Sequence, residues 1–193
     1  MFFRQDKLGN FGLKEIQSLE GNVGYIRLDE FTEWLDARTA IAGAMASVGF
    51  SDALIIDLRH NTGGAPETMH WLLSFFFEKD SRKEFVGLYF REDDKTQRAF
   101  VDKKLKCPRY LERPIMVLTG PNTASAAEGF AYDMQRLGKG VVVGEKTKGG
   151  AQPAQTFLLP HGLRILLPIG RAVDPETGGN WEGIGVVPDV VVR

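Results

Sequence analysis

Histidine and cysteine are scarce in this chain, with three histidines and one cysteine among 193 residues. Cys107 alone excludes a disulfide scaffold and a cysteine-rich structural zinc site, since both need several thiols. No two of His60, His70 and His161 stand at metal-ligand spacing with a carboxylate, so no metal site is expected. Neither a Walker pattern nor G-x-G-x-x-G is present, and no cofactor is expected. An excess of one charge is missing too. Twenty-four Lys and Arg against 25 Asp and Glu leave a formal net charge of -1, without the basic face that a nucleic-acid binder carries. Apolar runs such as Leu72-Leu73-Ser74-Phe75-Phe76-Phe77 fall far short of the roughly 20 residues that span a bilayer. Met1 to Asp6 turns polar too soon for the apolar core of a signal peptide. A single soluble domain over 1–193 is the expectation, its length being close to one unit of roughly 150 residues.

What is present is an alternation of element types. Gly21 to Phe31 reads as a strand, and Glu33 to Val48 as a helix with Trp34, Ile41, Ala42, Met45 and Val48 at helical spacing. Ala53 to Leu58 is a continuous apolar run that suits a strand buried on both faces. Asn61-Thr62-Gly63-Gly64 breaks it, and Ala65 to Phe77 resumes a helical pattern with Pro66 at its start. The cycle repeats with a strand at Ile115–Leu118, a helix from Thr123 to Leu137 and a strand at Gly140–Gly144. Such alternation predicts an α/β protein with a largely parallel sheet. Arg91 to Arg113 is a charged excursion that reads as a solvated hairpin or loop. Thr156–Leu159 and Leu163–Leu167 flank Pro160-His161-Gly162 and predict a C-terminal β-hairpin.

Three segments could carry chemistry, and each has a plain structural reading. Ser125 and Glu128 form S-x-x-E, the signature of a capping box. The same serine, at a strand-to-helix turn among Ala124, Ala126 and Ala127, is also an uncovered hydroxyl beside the first N–H groups of a helix, where an oxyanion would be stabilised. A serine becomes a nucleophile only when a base takes its proton. Gly63-Gly64, after a buried strand, is either an ordinary tight turn or a source of exposed N–H groups. Gly178 to Val190, which contains Trp181-Glu182-Gly183, reads by itself as a glycine-rich loop and an edge strand with Glu182 solvated.

Together these segments, with Asn10-Phe11-Gly12 and Gly21 to Leu28, closely resemble the C-terminal-processing, or tail-specific, serine peptidases. The branch they most resemble contains the tricorn protease core and the interphotoreceptor retinoid-binding protein modules. The resemblance runs from about Asn10 to Val192 and implies a ClpP/crotonase-like fold of repeated ββα units. It implies Ser125 as nucleophile, in a T-x-S-A-A-E context. The oxyanion hole would use the N–H of Ala126 and of Gly63 or Gly64, the pair in D-L-R-x-N-x-G-G. Glu182, in W-E-G-x-G-V-x-P-D-V, matches the acidic residue that orients the catalytic apparatus, and Glu128 supports Ser125 from its cap position.

The base is the point of departure from the family. In the processing branch it is a lysine in G-E-x-T-F-G-K-G; here the segment is Gly144-Glu145-Lys146-Thr147-Lys148-Gly149-Gly150-Ala151, and Gly150 holds the lysine's position. Lys146 and Lys148 lie nearby but read as solvated charges. The tricorn-like branch uses a histidine upstream of Asn10-Phe11-Gly12, and Met1 to Gly9 contains none. Of the histidines present, His60 reads as a turn residue or substrate contact, His70 as structural and His161 as an exposed turn residue. The expectation is therefore a serine peptidase core that acts on a peptide or protein substrate and needs a histidine from an upstream segment or a partner chain; a homo-oligomer is compatible with this. The rival of another class is a non-enzymatic module for a retinoid, fatty acid or similar apolar ligand, with Trp71, Phe75, Phe76 and Phe77 lining a cleft. A crotonase-type acyl-CoA enzyme, using the Gly63-Gly64 turn for a thioester oxyanion, is a third.

Overall fold

A six-stranded sheet forms the centre of the molecule, in the order β1-β2-β3-β6-β7-β11. The computed structural model describes residues 9–33 and 35–192; Met1–Leu8, Arg193 and Trp34, the last counted above among the helix positions, lie outside the described residues. β1 (Leu13–Leu19) and β2 (Val23–Leu28) form an antiparallel hairpin. β3 (Ala53–Asp57), β6 (Ile115–Thr119), β7 (Val141–Gly144) and β11 (Val190–Val191) then add in parallel. β3 lies between β2 and β6; its Leu54 and Ile56, on one face, are almost fully enclosed, while Ala53 and Ile55 on the other are half-buried, so the burial expected on both faces is complete on one.

Three helices follow strands of this sheet: α1 (Leu35–Ser47) after β2, α2 (Pro66–Leu73) after β3, and α3 (Ala126–Arg136) after β6. The ββα unit occurs in full once, as β1-β2-α1, while β3 is followed directly by α2. The helix read over Ala65–Phe77 ends as an α-helix at Leu73 and continues as a 3-10 turn over Ser74–Phe76. Phe75, Phe76 and Phe77 are buried in the core, where Phe76 and Phe31 both meet Phe130 of α3 at ring-centroid distances of 6.1 and 6.3 Å. Burying each such ring stabilises the fold by roughly 1.5–3 kcal/mol. The aromatic run is therefore core and does not line a cleft, contrary to the apolar-ligand reading. Trp71 is half-buried and packs edge-on against Phe75 at 5.1 Å.

A second, antiparallel sheet has the order β10-β4-β5, with β4 at Glu84–Phe90, β5 at Lys95–Phe100 and β10 at Gly170–Val173. The charged excursion is thus partly a hairpin, since β5 pairs with β4 across a turn at 91–94. β8 (Ala154–Leu158) and β9 (Arg164–Pro168) pair antiparallel around His161, which has φ 62°, and form the expected C-terminal hairpin. Every residue from Ala154 to Pro168 is exposed.

Candidate active site

Ser125 stands where β6 gives way to α3, in a backbone conformation, φ 56° and ψ −123°, that non-glycine residues seldom adopt. A turn of this kind costs of order 1–3 kcal/mol and persists only when its surroundings hold it. Here they do. Thr123 Oγ1 donates to the Leu58 carbonyl at 2.8 Å and accepts the Gly120 N–H at 3.0 Å. The Ala124 N–H donates to the Asn61 carbonyl at 3.0 Å. Ser125 and Glu128 form the capping box, with the Ser125 N–H donating to Glu128 Oε2 at 2.7 Å. The serine itself is exposed, while Ala124, Ala126 and Ala127 are buried.

The Gly63–Gly64 turn lies directly against this serine. A Cβ on Gly63 would come within 2.7 Å of Ser125 Cβ, and the residue has φ 104°, so only glycine fits. Asn61, fully buried, sets the turn: its Nδ2 donates to the Leu28 carbonyl at 2.9 Å and its Oδ1 accepts the Gly63 N–H at 2.8 Å. That bond separates the two glycines. The Gly63 N–H is already occupied, whereas among the described residues the Gly64 and Ala126 N–H groups have no acceptor. Asp57, at the end of β3, braces the turn from behind by holding Arg59 through two side-chain bonds and accepting Tyr25 Oη at 2.7 Å. Burial pushes the Asp57 carboxyl up, but Arg59 and Tyr25 outweigh it and hold it below the ordinary value. Burial, then the bond to Asp57, pushes Tyr25 up to about 12.

Glu128 does more than cap a helix. Its fully buried carboxylate accepts four bonds: the Ser125 N–H, the Thr147 hydroxyl at 2.6 Å, and the Gly149 and Gly150 N–H groups at 2.6 and 2.8 Å. Thr147 Oγ1 in turn accepts the Val186 N–H at 2.7 Å. One carboxylate thereby joins the Ser125 turn to the Gly144–Gly150 loop and, through Thr147, to the segment after Glu182. Glu182 is exposed and accepts the Ala151 N–H at 2.6 Å. The two carboxylates therefore bind three successive N–H groups, those of residues 149, 150 and 151, from two sides.

A cleft of about 450 Å³ opens beside Ser125. Its walls are mainly apolar and include Met69, Val86, Leu88, Leu166, Ala172 and Trp181, with Gly64, Ala126 and Gly150 at the serine end. Gly129 on α3 makes room for the floor, because a Cβ there would press on Met69 Cε at 3.2 Å and Trp181 Cη2 at 3.4 Å.

The basic groups are distributed less favourably. His70 lines this cleft, but its Nε2 is bonded to the Val86 carbonyl at 3.0 Å and its ring stacks on Phe85. Burial lowers its pKa. His60 lines a different cavity, with Arg59, Asn122 and Glu145, and His161 is at the hairpin tip. Lys146 and Lys148 are exposed and line neither cavity. Among the described residues no histidine or lysine is hydrogen-bonded to Ser125. At Gly150 an added Cβ would have a single neighbour within 4 Å, Glu128 Oε2 at 3.6 Å. Position 150, where the resemblance would place a lysine, is thus open space at the serine cleft.

Asn61 and Thr147 were not singled out from the sequence. An Asn two residues ahead of a glycine pair is a recognisable Asx-turn signal, but nothing local marks Thr147.

Comparison with known proteins bears on the family and the fold. The chain is 31% identical over 181 residues to a carboxy-terminal-processing protease of Bartonella bacilliformis, covering 91% of this chain and 40% of that protein. It is 28% identical over 172 residues to the carboxyl-terminal-processing protease of a Picosynechococcus species, covering 88% of this chain and 39% of that one. The chain therefore spans about two fifths of the length of these relatives. The photosystem II D1 C-terminal processing protease superposes with a TM-score of 0.64 at 23% identity, over 88% of this chain and 42% of that one, and shows the shared fold. The Peptidase family S41 profile matches residues 22–192, and the chain belongs to that family.

Proposed function

We propose that this chain is the core of a serine-type peptidase that hydrolyses peptide bonds by acyl transfer through Ser125. The observation that carries the reading is the contact between the strained Ser125 turn and the Gly63–Gly64 turn, with two unpaired N–H groups beside an exposed hydroxyl. Ser125 Oγ attacks the scissile carbonyl carbon, and the carbonyl oxygen takes the negative charge. The Gly64 and Ala126 N–H groups donate to that oxygen; removing one such donor in other enzymes costs roughly 10²–10³ in rate. Gly63 serves as the close-packing residue rather than as a donor, because Asn61 already holds its N–H. The substrate is a polypeptide that places an apolar side chain among Met69, Val86, Leu88 and Trp181.

The proton on Ser125 needs an acceptor that these residues do not supply in place. The reading assigns that task to a histidine from outside the described residues, which Glu182 would orient through the carboxylate oxygen that Ala151 leaves free. Removing a member of such a unit lowers turnover by several orders of magnitude. The apolar-ligand alternative gains no support from the relatives described, which are named as processing proteases.

A fluorophosphonate probe tests the assignment. Covalent labelling of this chain is expected at Ser125, slow when the chain is alone and faster in a longer form that carries an upstream histidine. Labelling that survives Ser125→Ala sinks the proposal.

A further inference from the structure

A second cavity, of about 180 Å³, adjoins the serine cleft and shares Gln152 with it as a common wall. Tyr89, Arg91, Pro168, Gly170 and Arg171 complete its lining. No acidic residue lines it. Arg91 and Arg171 are both exposed, and neither makes an ion pair with any described residue. The acids of the neighbouring turn, Glu92, Asp93 and Asp94, are also exposed. Asp94 reaches the cavity wall, where it accepts Tyr89 Oη at 3.0 Å.

The fold places both arginines on the wall of this cavity. Arg171 is the register partner of Tyr89 across the β10–β4 pair, and its guanidinium lies 5.6 Å from the centre of the Tyr89 ring. Its Nη1 also donates to the Gly178 carbonyl at 3.3 Å. The Arg91 N–H donates to the Ile169 carbonyl at 3.1 Å, which fixes the start of that side chain beside β10. Ala172 and Leu88, one residue along on each strand, line the serine cleft. The same strand pair thus gives an apolar wall to one cavity and a cationic wall to the other, and the path between them passes Gln152.

We propose that Arg91 and Arg171 form a carboxylate-binding subsite for the polypeptide whose apolar side chain occupies the serine cleft. The inference rests on the peptidase reading and narrows its substrate to chains with a carboxylate a short distance from the bond attacked. The two sites share the wall residue Gln152, so one extended chain can run from the serine cleft into the second cavity. A guanidinium fork suits this ligand because it offers paired N–H donors to both oxygens of a carboxylate. The carboxylate is either the free C-terminus of the chain or an Asp or Glu side chain.

Peptide binding to the Ser125→Ala chain tests this without relying on turnover. Three fluorescein-labelled peptides of alanine and leucine serve as probes: one with a free C-terminal carboxylate, one with a carboxamide, and one with a carboxamide and an internal glutamate. At low salt the carboxylate peptide is expected to bind about tenfold tighter than the carboxamide, the worth of one charge-assisted hydrogen bond. The preference should shrink with added salt and vanish in the Arg91→Gln/Arg171→Gln double variant. If the glutamate peptide recovers the tight binding, the source is a side chain; if only the free carboxylate does, it is the C-terminus. Equal binding of the acid and both amide peptides, or a preference that persists in the double variant, overturns the subsite and leaves the peptidase reading standing. Absence of binding by all three peptides overturns both. The thermal midpoint of the double variant, which removes two exposed side chains, should stay within a few degrees of the parent.

Discussion

Replacing Glu128 by glutamine is the sharpest perturbation of the site, because it removes a charge and one acceptor oxygen while keeping shape. Each carboxylate oxygen accepts two bonds, Oε1 from Thr147 and Gly149, Oε2 from Ser125 and Gly150. Whichever oxygen becomes the amide nitrogen, two donors then face a donor. The less costly choice puts the nitrogen at Oε1, since the Thr147 hydroxyl can turn and accept, leaving the Gly149 N–H unpaired. One unsatisfied buried donor costs about 1–3 kcal/mol, and exchanging charged for neutral acceptors at the remaining bonds adds about 1 kcal/mol more. The expected loss is about 2–4 kcal/mol by urea unfolding, or a fall of roughly 4–16 °C in the thermal midpoint for a domain of this size. The labelling rate of Ser125 should fall further than Glu128→Gln lowers the folded fraction, since the Ser125 N–H is then held by a neutral acceptor and the clamp on the Gly144–Gly150 loop loses its Gly149 bond. Glu128→Ala should be worse than Glu128→Gln, because all four donors lose their acceptor. A glutamine variant within about 0.5 kcal/mol of the parent, with unchanged labelling, would refute the argument that this carboxylate holds the turn.

Gly63→Ala should destabilise the fold by about 2 kcal/mol or more and abolish labelling, because φ 104° and the 2.7 Å approach to Ser125 Cβ both oppose a side chain; a stable, fully labelled variant contradicts the close approach. Gly150→Lys should accelerate fluorophosphonate labelling at least tenfold at pH 8, as the added side chain starts 3.6 Å from Glu128 Oε2 in otherwise open space; an unchanged rate in a folded variant rejects that position as a site for a base. Asp133, buried and bonded to Arg136 and the Val86 N–H, has its pKa raised by burial to about 6. Its folded form holds a proton that the unfolded chain releases, so this group's contribution to stability rises as pH falls from 7 to 5, by about 1 kcal/mol. His70, with its pKa lowered by burial, works the other way in the same window. The difference between the parent and Asp133→Asn is therefore the quantity to measure, and it should move in the parent's favour on acidification; a constant difference refutes the assignment.

The turns of the site were legible in the sequence because their chemistry is local. A glycine pair after a buried strand, and S-x-x-E at the head of a helix, state their backbone requirements within a few residues. The division of labour between Gly63 and Gly64 was not legible, since it depends on where Asn61 Oδ1 points. Nor were the partners of Glu128: two of them are backbone N–H groups 21 and 22 residues away, which leave no trace in side-chain identity. Strands β1, β4 and β10 escaped periodicity for different reasons. β1 is a sheet edge with only Leu13 buried, β4 follows a charged stretch, and β10 has four residues. His70 appeared structural on its helix, and its bond to Val86 agrees; its place in the cleft wall required knowing that β4 packs beside α2.

If Ser125 is the nucleophile, as proposed, the geometry of Glu128 lets the base change without rebuilding the serine's turn. A fully buried carboxylate normally has a cation beside it, yet this one is satisfied by four neutral donors, and no cation among the described residues pairs with it. Those donors are three backbone N–H groups and one hydroxyl, so the clamp on the Ser125 turn and the Gly144–Gly150 loop does not depend on the side chain at position 150. A lysine there would add an ammonium next to an existing anion, and a glycine leaves the anion satisfied. On the proposed assignment, holding the serine and removing its proton are thus separate tasks. On that proposal a chain with Gly150 keeps the Ser125 turn in place for a base delivered from elsewhere.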